Sequence, residues 1–270
     1  MNIQTLSSDD TVSSDNAKTQ AIPLGQKIAF GVGMLANQMF PAALGVFMVI
    51  LVQSLGMSPI LWGFIFFLPK LVDALTDPLM GYISDRTNSR WGKRRPFVFI
   101  GAVIAGISYI AMWQLSAENG EMYNFWYFLG WSVVFFLGMT IFSVPYVAMG
   151  YEMSSDYHER TRLMAVAQWI GQLAWVIAPW FWIILYDPNW FDSPTEGART
   201  LSIYVGVTCT LLAIVPAVFC HSEDTTKLDE VNTRATVAET FKELFRGIAI
   251  TLRNKPFQRI CTATFFIFNA

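Results

Sequence analysis

Lys70, Asp73 and Asp77 stand three and four residues apart in the stretch LPKLVDALTDPLMG, residues 68–81, inside a run that is otherwise apolar. On an α-helix that spacing puts all three on one stripe, with Gly81 four residues further on. Two carboxylates against one ammonium leave one net negative charge. Carboxylate oxygens helped by hydroxyls make a hard-oxygen site, suited to Na+ or Li+, or to a proton on an Asp whose ionisation is opposed by burial and a like-charged neighbour. Thr76 on the same helix and Thr140 further along supply candidate oxygens. Asp73 and Asp77 are thus the metal candidates, for Na+ alone. The other reading is an ion-pair cluster that only fixes helix packing. Two acids against one base make that account incomplete.

The setting explains why such a stripe must be shielded. Hydrophobic residues form 54% of the 270 and charged residues 14%, about half the charged share of a soluble domain. A membrane-spanning helix needs roughly 20 mainly apolar residues. Six stretches qualify, at about 28–53, 59–84, 96–115, 124–150, 163–186 and 201–220, and a seventh begins near Phe257. A charge at the bilayer centre costs about 3 kcal/mol or more, so the stripe must face the bundle interior or a wet cavity. Pro69 and Pro78 flank it and are expected to bend the helix.

The spans also sort the basic residues. Sixteen of the 18 Lys and Arg fall on one side, Arg199 falls on the other, and Lys70 lies within a span. This asymmetry places the N-terminus in the cytoplasm. Residues 1–24 read as a polar, disordered tail without signal-peptide character. Residues 25–220 form a six-helix transmembrane bundle. Residues 221–256 form a cytoplasmic middle loop, where Val237, Phe241, Leu244, Phe245, Ile248 and Leu252 mark an amphipathic helix lying on the membrane. Residues 257–270 begin a seventh span and stop partway through it. The fold class is therefore an all-α membrane protein, and the layout resembles the first half of a two-bundle protein.

Other polar residues complete the inventory. Gly33, Asn37 and Pro41 recur at i, i+4 and i+8 on helix one, and Gln168, Gln172 and Trp175 share a face of helix five. Amides in hydrocarbon need partners. Sugar hydroxyls are such partners, and an indole stacks on a pyranose; bonds between helices are the alternative. Tyr146, beside Pro145, is a further cavity candidate. Trp113, Trp126 and Trp190 fall near the outer interface, where aromatic belts form. Cys209, Cys220 and Cys261 have no metal-ligand spacing and read as packing residues. At the cytoplasmic ends, Asp85 with Arg86, Arg90, Lys93, Arg94 and Arg95 faces Glu152, Asp156, Glu159, Arg160 and Arg162. Such groups pair as a gate latch, or anchor the protein at anionic head groups. Gly81 is expected to permit close helix approach.

The block DALTDPLMGYISDRTNSRWGKRRP, residues 73–96, resembles the signature of the glycoside–pentoside–hexuronide:cation symporter family of the major facilitator superfamily. A second block, VPYVAMGYEMSSDYHERTRL, residues 144–163, matches at the end of helix four. The resemblance implies twelve spans in two six-helix bundles, of which this chain covers the N-terminal bundle, the middle loop and part of helix seven. It implies that Asp73 and Asp77 hold the coupling cation with Thr76 and Thr140 nearby, and that Lys70 fills a basic position grouped with the substrate residues. It places Asn37 and Ser143 where a sugar carrier of the family has acids, and Gln168 where it has an arginine. Neutral groups at those positions depart from the charged sugar site and favour an uncharged glycoside.

The function expected is a symporter driven by Na+ or H+, moving a sugar or glycoside by alternating access in a bacterial inner membrane. It needs no cofactor beyond that cation and binds no nucleic acid. Its expected partners are the substrate, membrane lipid, and a C-terminal half or a second copy. The alternative is a non-transporting, truncated six-helix protein or assembly module. An enzyme is not expected, because no nucleophile–base pair, HExxH motif or phosphate-binding glycine loop is present, and His158 and His221 sit in loops.

Overall fold

The computed structural model describes residues 21–87, 89–220, 246, 250 and 253–269. Among them the regular structure is helical. The long helices are α1 (Leu24–Gln53), α2 (Pro59–Arg86), α3 (Arg95–Met112), α4 (Glu121–Glu152), α5 (Tyr157–Tyr186) and α6 (Pro194–Phe219), followed by α7 (Lys255–Asn269). The first six are each long and apolar enough to cross a membrane. The expected amphipathic helix and most of the expected tail lie outside the described residues.

Capping explains where the helices outrun the apolar stretches. The Ser58 hydroxyl accepts from Leu61 N–H at 3.4 Å, with Pro59 in the first turn of α2. Asp156 accepts from His158 N–H at 3.0 Å and Ser193 from Glu196 N–H at 3.2 Å, which starts α5 and α6 about a turn or more ahead of their apolar cores. Helix α2 runs unbroken through Pro69 and Pro78.

The six helices form an arc in the order α2, α4, α3, α6, α1, α5. Exchanging α1 with α4, α2 with α5 and α3 with α6 leaves that pattern of neighbours unchanged, as expected of two three-helix repeats. The centre of the arc is rigid. Phe40 and Phe47 of α1, Tyr109 of α3 with Trp113 just beyond it, and Phe128 and Phe135 of α4 are fully buried together. Their ring centroids lie 5.1–6.5 Å apart. Trp113 is therefore a core residue and not part of an interfacial belt, whereas Trp126 and Trp190 are exposed. Cys209 and Cys220 are buried as expected, and burial pushes the Cys220 thiol up to about 12. Cys261 departs from the expectation and is exposed.

Small residues bring α3 and α4 together. A Cβ on Gly101 would run into the Phe142 backbone, and one on Gly138 would stand 2.7 Å from Ala105 N. Gly81 is different, since a Cβ there would meet only Val144 Cγ1 at 3.8 Å. The close approach expected at Gly81 is not made; the α3–α4 seam makes it instead. Gly101→Ala should lower the unfolding free energy by about 1–3 kcal/mol through overpacking. Gly81→Ala should leave it nearly unchanged, as measured by thermal unfolding of the two variants in detergent.

Candidate functional site

Helix α2 carries its charges across to α4. Thr140, buried on α4, has its hydroxyl 2.8 Å from Asp73 Oδ1 and 2.9 Å from Asp77 Oδ1. The Thr76 hydroxyl is 3.4 Å from that of Thr140. Four side-chain oxygens thus converge where the i, i+3 and i+4 spacing places them. They have too few protons. A hydroxyl carries one, and Thr76 spends its proton on its own helix, at Val72 O (3.1 Å) or Asp73 O (3.3 Å). Thr140 can donate to one carboxylate only. The remaining contact sets oxygen against oxygen, and it needs either a protonated carboxyl or a cation between the groups.

Lys70 covers the other side. Its ammonium is 4.0 Å from Asp73 Oδ2 and 4.6 Å above the Phe136 ring. The side chain is 53% exposed, against 25% for Asp73, so the cluster faces open space and not the packed core. Among the described residues no three His, Cys, Asp or Glu gather as they would for a multivalent metal. The chemistry available is that of a small monovalent cation or a proton. Beside Lys70 a cavity of about 190 Å3 opens between α1, α2 and α4.

The residues expected to face substrate divide into two groups. Lys70 and Ser143 lie on the α2–α4 seam, with Ser143 one turn beyond Thr140 and half-buried. Asn37, Gln168, Gln172 and Trp175 lie on the α1–α5 seam. The Asn37 amide meets the Met34 sulfur at 3.8 Å, and Gln168 and Gln172 are exposed. Trp175 Nε1–H donates to Gln38 Oε1 at 3.3 Å, a partner that sequence reasoning missed. Two expected cavity residues are packing residues instead. Tyr146 is fully buried between Phe30 and Phe142, and its hydroxyl donates to Phe30 O. Gly33 is buried where a Cβ would strike Pro216 and Tyr146.

At the far end of the same seam, Arg94 is buried among acids. It donates to both oxygens of Glu152, at 2.8 and 2.9 Å, and to Asp85. Lys93 adds a contact to Glu152 at 2.8 Å. The other expected latch residues do different work. Arg86 lies over the Tyr82 ring, Arg95 donates to the Ala217 and Val218 carbonyls at the end of α6, and Asp156 caps α5. Arg90 is exposed and Arg160 half-buried. A second ion pair, unforeseen from spacing, joins Lys27 of α1 to Glu159 of α5 at 2.9 Å, and Arg162 braces it at 2.7 Å. Its only sequence signal was a lone lysine ahead of the first apolar run. Arg94→Ala should cost about 2 kcal/mol, because Glu152 and Asp85 lose a charged partner. Arg94→Lys should recover only part of it, since a lysine cannot bind two oxygens in parallel. Unfolding of the two variants in detergent measures both.

Comparison with known proteins sets this geometry in context. The family model described as MFS/sugar transport protein matches residues 29–270. An uncharacterized symporter of Synechocystis is 29% identical over 156 residues, which cover 56% of this chain and 29% of that protein. The inner membrane symporter YicJ of Escherichia coli is 30% identical over 151 residues, 55% of this chain and 32% of that protein. The lactose permease of Leuconostoc lactis is 26% identical over 251 residues, 83% of this chain and 38% of that protein. The matched stretch spans well under half the length of each relative.

Proposed function

The chain belongs to the MFS/sugar transport protein family, and we propose that it supplies the cation-binding bundle of a symporter that carries a sugar or glycoside by alternating access. It is an integral, multi-pass membrane protein of a transporter family, not an enzyme. The observation that carries the proposal is the Thr140 hydroxyl shared between Asp73 and Asp77 with one proton too few. A driving ion, Na+ or H+, supplies what is missing.

Coupling then follows from electrostatics. Without a cation, the pair leaves an uncompensated charge at membrane depth, which disfavours any state closed to water on both sides. Cation binding removes that charge and lets the substrate-loaded form occlude. The Arg94 cluster ties α2, α4 and the α2–α3 connection together on the side assigned to the cytoplasm. Helices α2 and α5, at the two ends of the arc, expose Phe64, Phe67, Leu71 and Leu75 on one and Trp169, Val176 and Trp180 on the other. These faces fit a second six-helix bundle, in the same chain or in another copy. The names of the relatives favour a carbohydrate substrate, and the neutral residues Asn37, Ser143 and Gln168 favour an uncharged one. The membrane proposed is a bacterial inner membrane, with the N-terminus in the cytoplasm.

Asp73→Asn and Asp77→Asn should each abolish cation-stimulated uptake by the intact carrier in membrane vesicles. Thr140→Ala should raise the half-saturating cation concentration about tenfold, the effect of losing one hydrogen bond to a charged group. Uptake measured with imposed sodium gradients and with imposed pH gradients identifies the ion. Wild-type dependence on both ions in both Asp variants would sink the assignment.

A further inference from the structure

The cavity beside Lys70 lies one turn from the cation cluster, yet its chemistry is different. Its walls are largely apolar and include the rings of Phe66, Phe128 and Phe136 and the bare backbone of Gly45. Of its lining residues only Lys70 and Ser132 are polar. The Ser132 hydroxyl is already spent on Leu129 O at 2.9 Å, and the Lys70 ammonium is held between Asp73 and the Phe136 face. A sugar placed here would leave its hydroxyls without partners, a penalty that an apolar group avoids. Size narrows the occupant further. An apolar cavity of roughly 150 Å3 takes a benzene molecule, so about 190 Å3 suits a substituted ring and not a whole ligand. Aromatic walls favour an aromatic guest.

Chain register says where the rest of that ligand lies. Pro41, at the edge of the cavity, is one turn from Asn37 on α1, and Lys70 is one turn from Asp73 on α2. The polar zone therefore adjoins the end of the cavity nearer the cation cluster. Charge sets the remaining property. Asp73, Asp77 and Lys70 sum to one negative charge, and a single bound cation makes the cluster neutral. A uronic acid would restore the imbalance that the cation had removed, whereas a neutral sugar would not.

We infer that this cavity is an aglycone subsite, and that the substrate is a neutral glycoside with an apolar aglycone of about aryl size. The inference rests on the glycoside reading above and sharpens it. Gly45 offers the decisive variant, because a Cβ built there meets no atom within 4 Å. Leucine at that position fills the cavity without displacing its neighbours.

The test compares methyl and p-nitrophenyl forms of the α- and β-galactosides and glucosides. Each is titrated into the intact protein in nanodiscs at saturating cation, with p-nitrophenyl β-glucuronide as the charged arm. For the sugar that binds, the aryl form should bind about tenfold or more tighter than the methyl form, the effect of burying one ring. Gly45→Leu should bring that ratio to within about twofold of unity. Phe66→Ala, which enlarges the cavity, should shift preference from the phenyl to the naphthyl glycoside. Equal binding of methyl and aryl forms overturns the subsite but leaves the glycoside reading standing. So does an unchanged ratio in a Gly45→Leu protein that unfolds at the wild-type temperature. A glucuronide that binds tighter than the neutral glycosides overturns the charge assignment. Absence of binding by every glycoside tested overturns both the inference and the reading on which it rests.

Discussion

A hydroxyl has one proton, and on this molecule two carboxylates at membrane depth reach for it. The contacts from Thr140 to Asp73 and Asp77 fix α2 against α4 at mid-length, and they set the electrostatic terms of everything nearby. The same seam is fastened at both ends. Ser58 N–H donates to Glu121 Oε1 at 2.7 Å where the two helices begin, and Arg94 binds Glu152 where they finish. A change in occupancy at the centre therefore acts on the two helices whose ends carry the Arg94 cluster. Coupling through packed elements with discrete arrangements needs no longer route than this.

The pseudo-symmetry of the arc gives that seam a counterpart. Helix α5 stands to α1 as α2 stands to α4, and its ties are likewise three: Lys27 to Glu159, Trp175 to Gln38, and Tyr186 to Gln53 at 2.7 Å. The registers agree closely. Lys70, Asp73 and Asp77 follow the start of α2 at Pro59 by 11, 14 and 18 residues; Gln168, Gln172 and Trp175 follow the start of α5 at Tyr157 by 11, 15 and 18. One seam holds ionised groups and the other holds amides and an indole at the matching depth. The common scaffold thus offers two polar stripes of unlike chemistry. In the proposed carrier, a cation and an uncharged polyol call for that division.

The α2 stripe was legible in the sequence because physics left it few choices. Charges costing about 3 kcal/mol each in lipid must share one face, and a period of 3.6 residues says which face. The span limits were legible for the same reason, and they erred only where caps such as Asp156 and Ser193 carried helices past their apolar cores. What spacing could not show was pairing between helices. Six basic and acidic neighbours were equally eligible for the Arg94 position, and only the meeting of the α2–α3 connection with the end of α4 selects it. Tyr146 looked like a polar group at a cavity, but an inward turn of α4 buries it between two rings. The aryl-sized cavity was invisible, since it is a space that exists only once Gly45 and Pro41 of α1 stand opposite the phenylalanines of α2 and α4.

Lys70 explains why the site can be both strong and reversible. Two bare carboxylates would hold a cation tightly and would demand a second for neutrality. An ammonium 4.0 Å from Asp73, at the limit of an ion pair and half in the open, offsets one charge without occupying the space between the acids. The cluster is then one cation short, not two, and the bound ion meets a nearby positive charge that weakens its hold. Release on the far side requires that weakness as much as capture requires the carboxylates. The aromatic face of Phe136 beneath the ammonium keeps it charged and in place while ions come and go. A lysine that seems misplaced in a membrane helix thus sets the number of ions per cycle and keeps the site from becoming a trap.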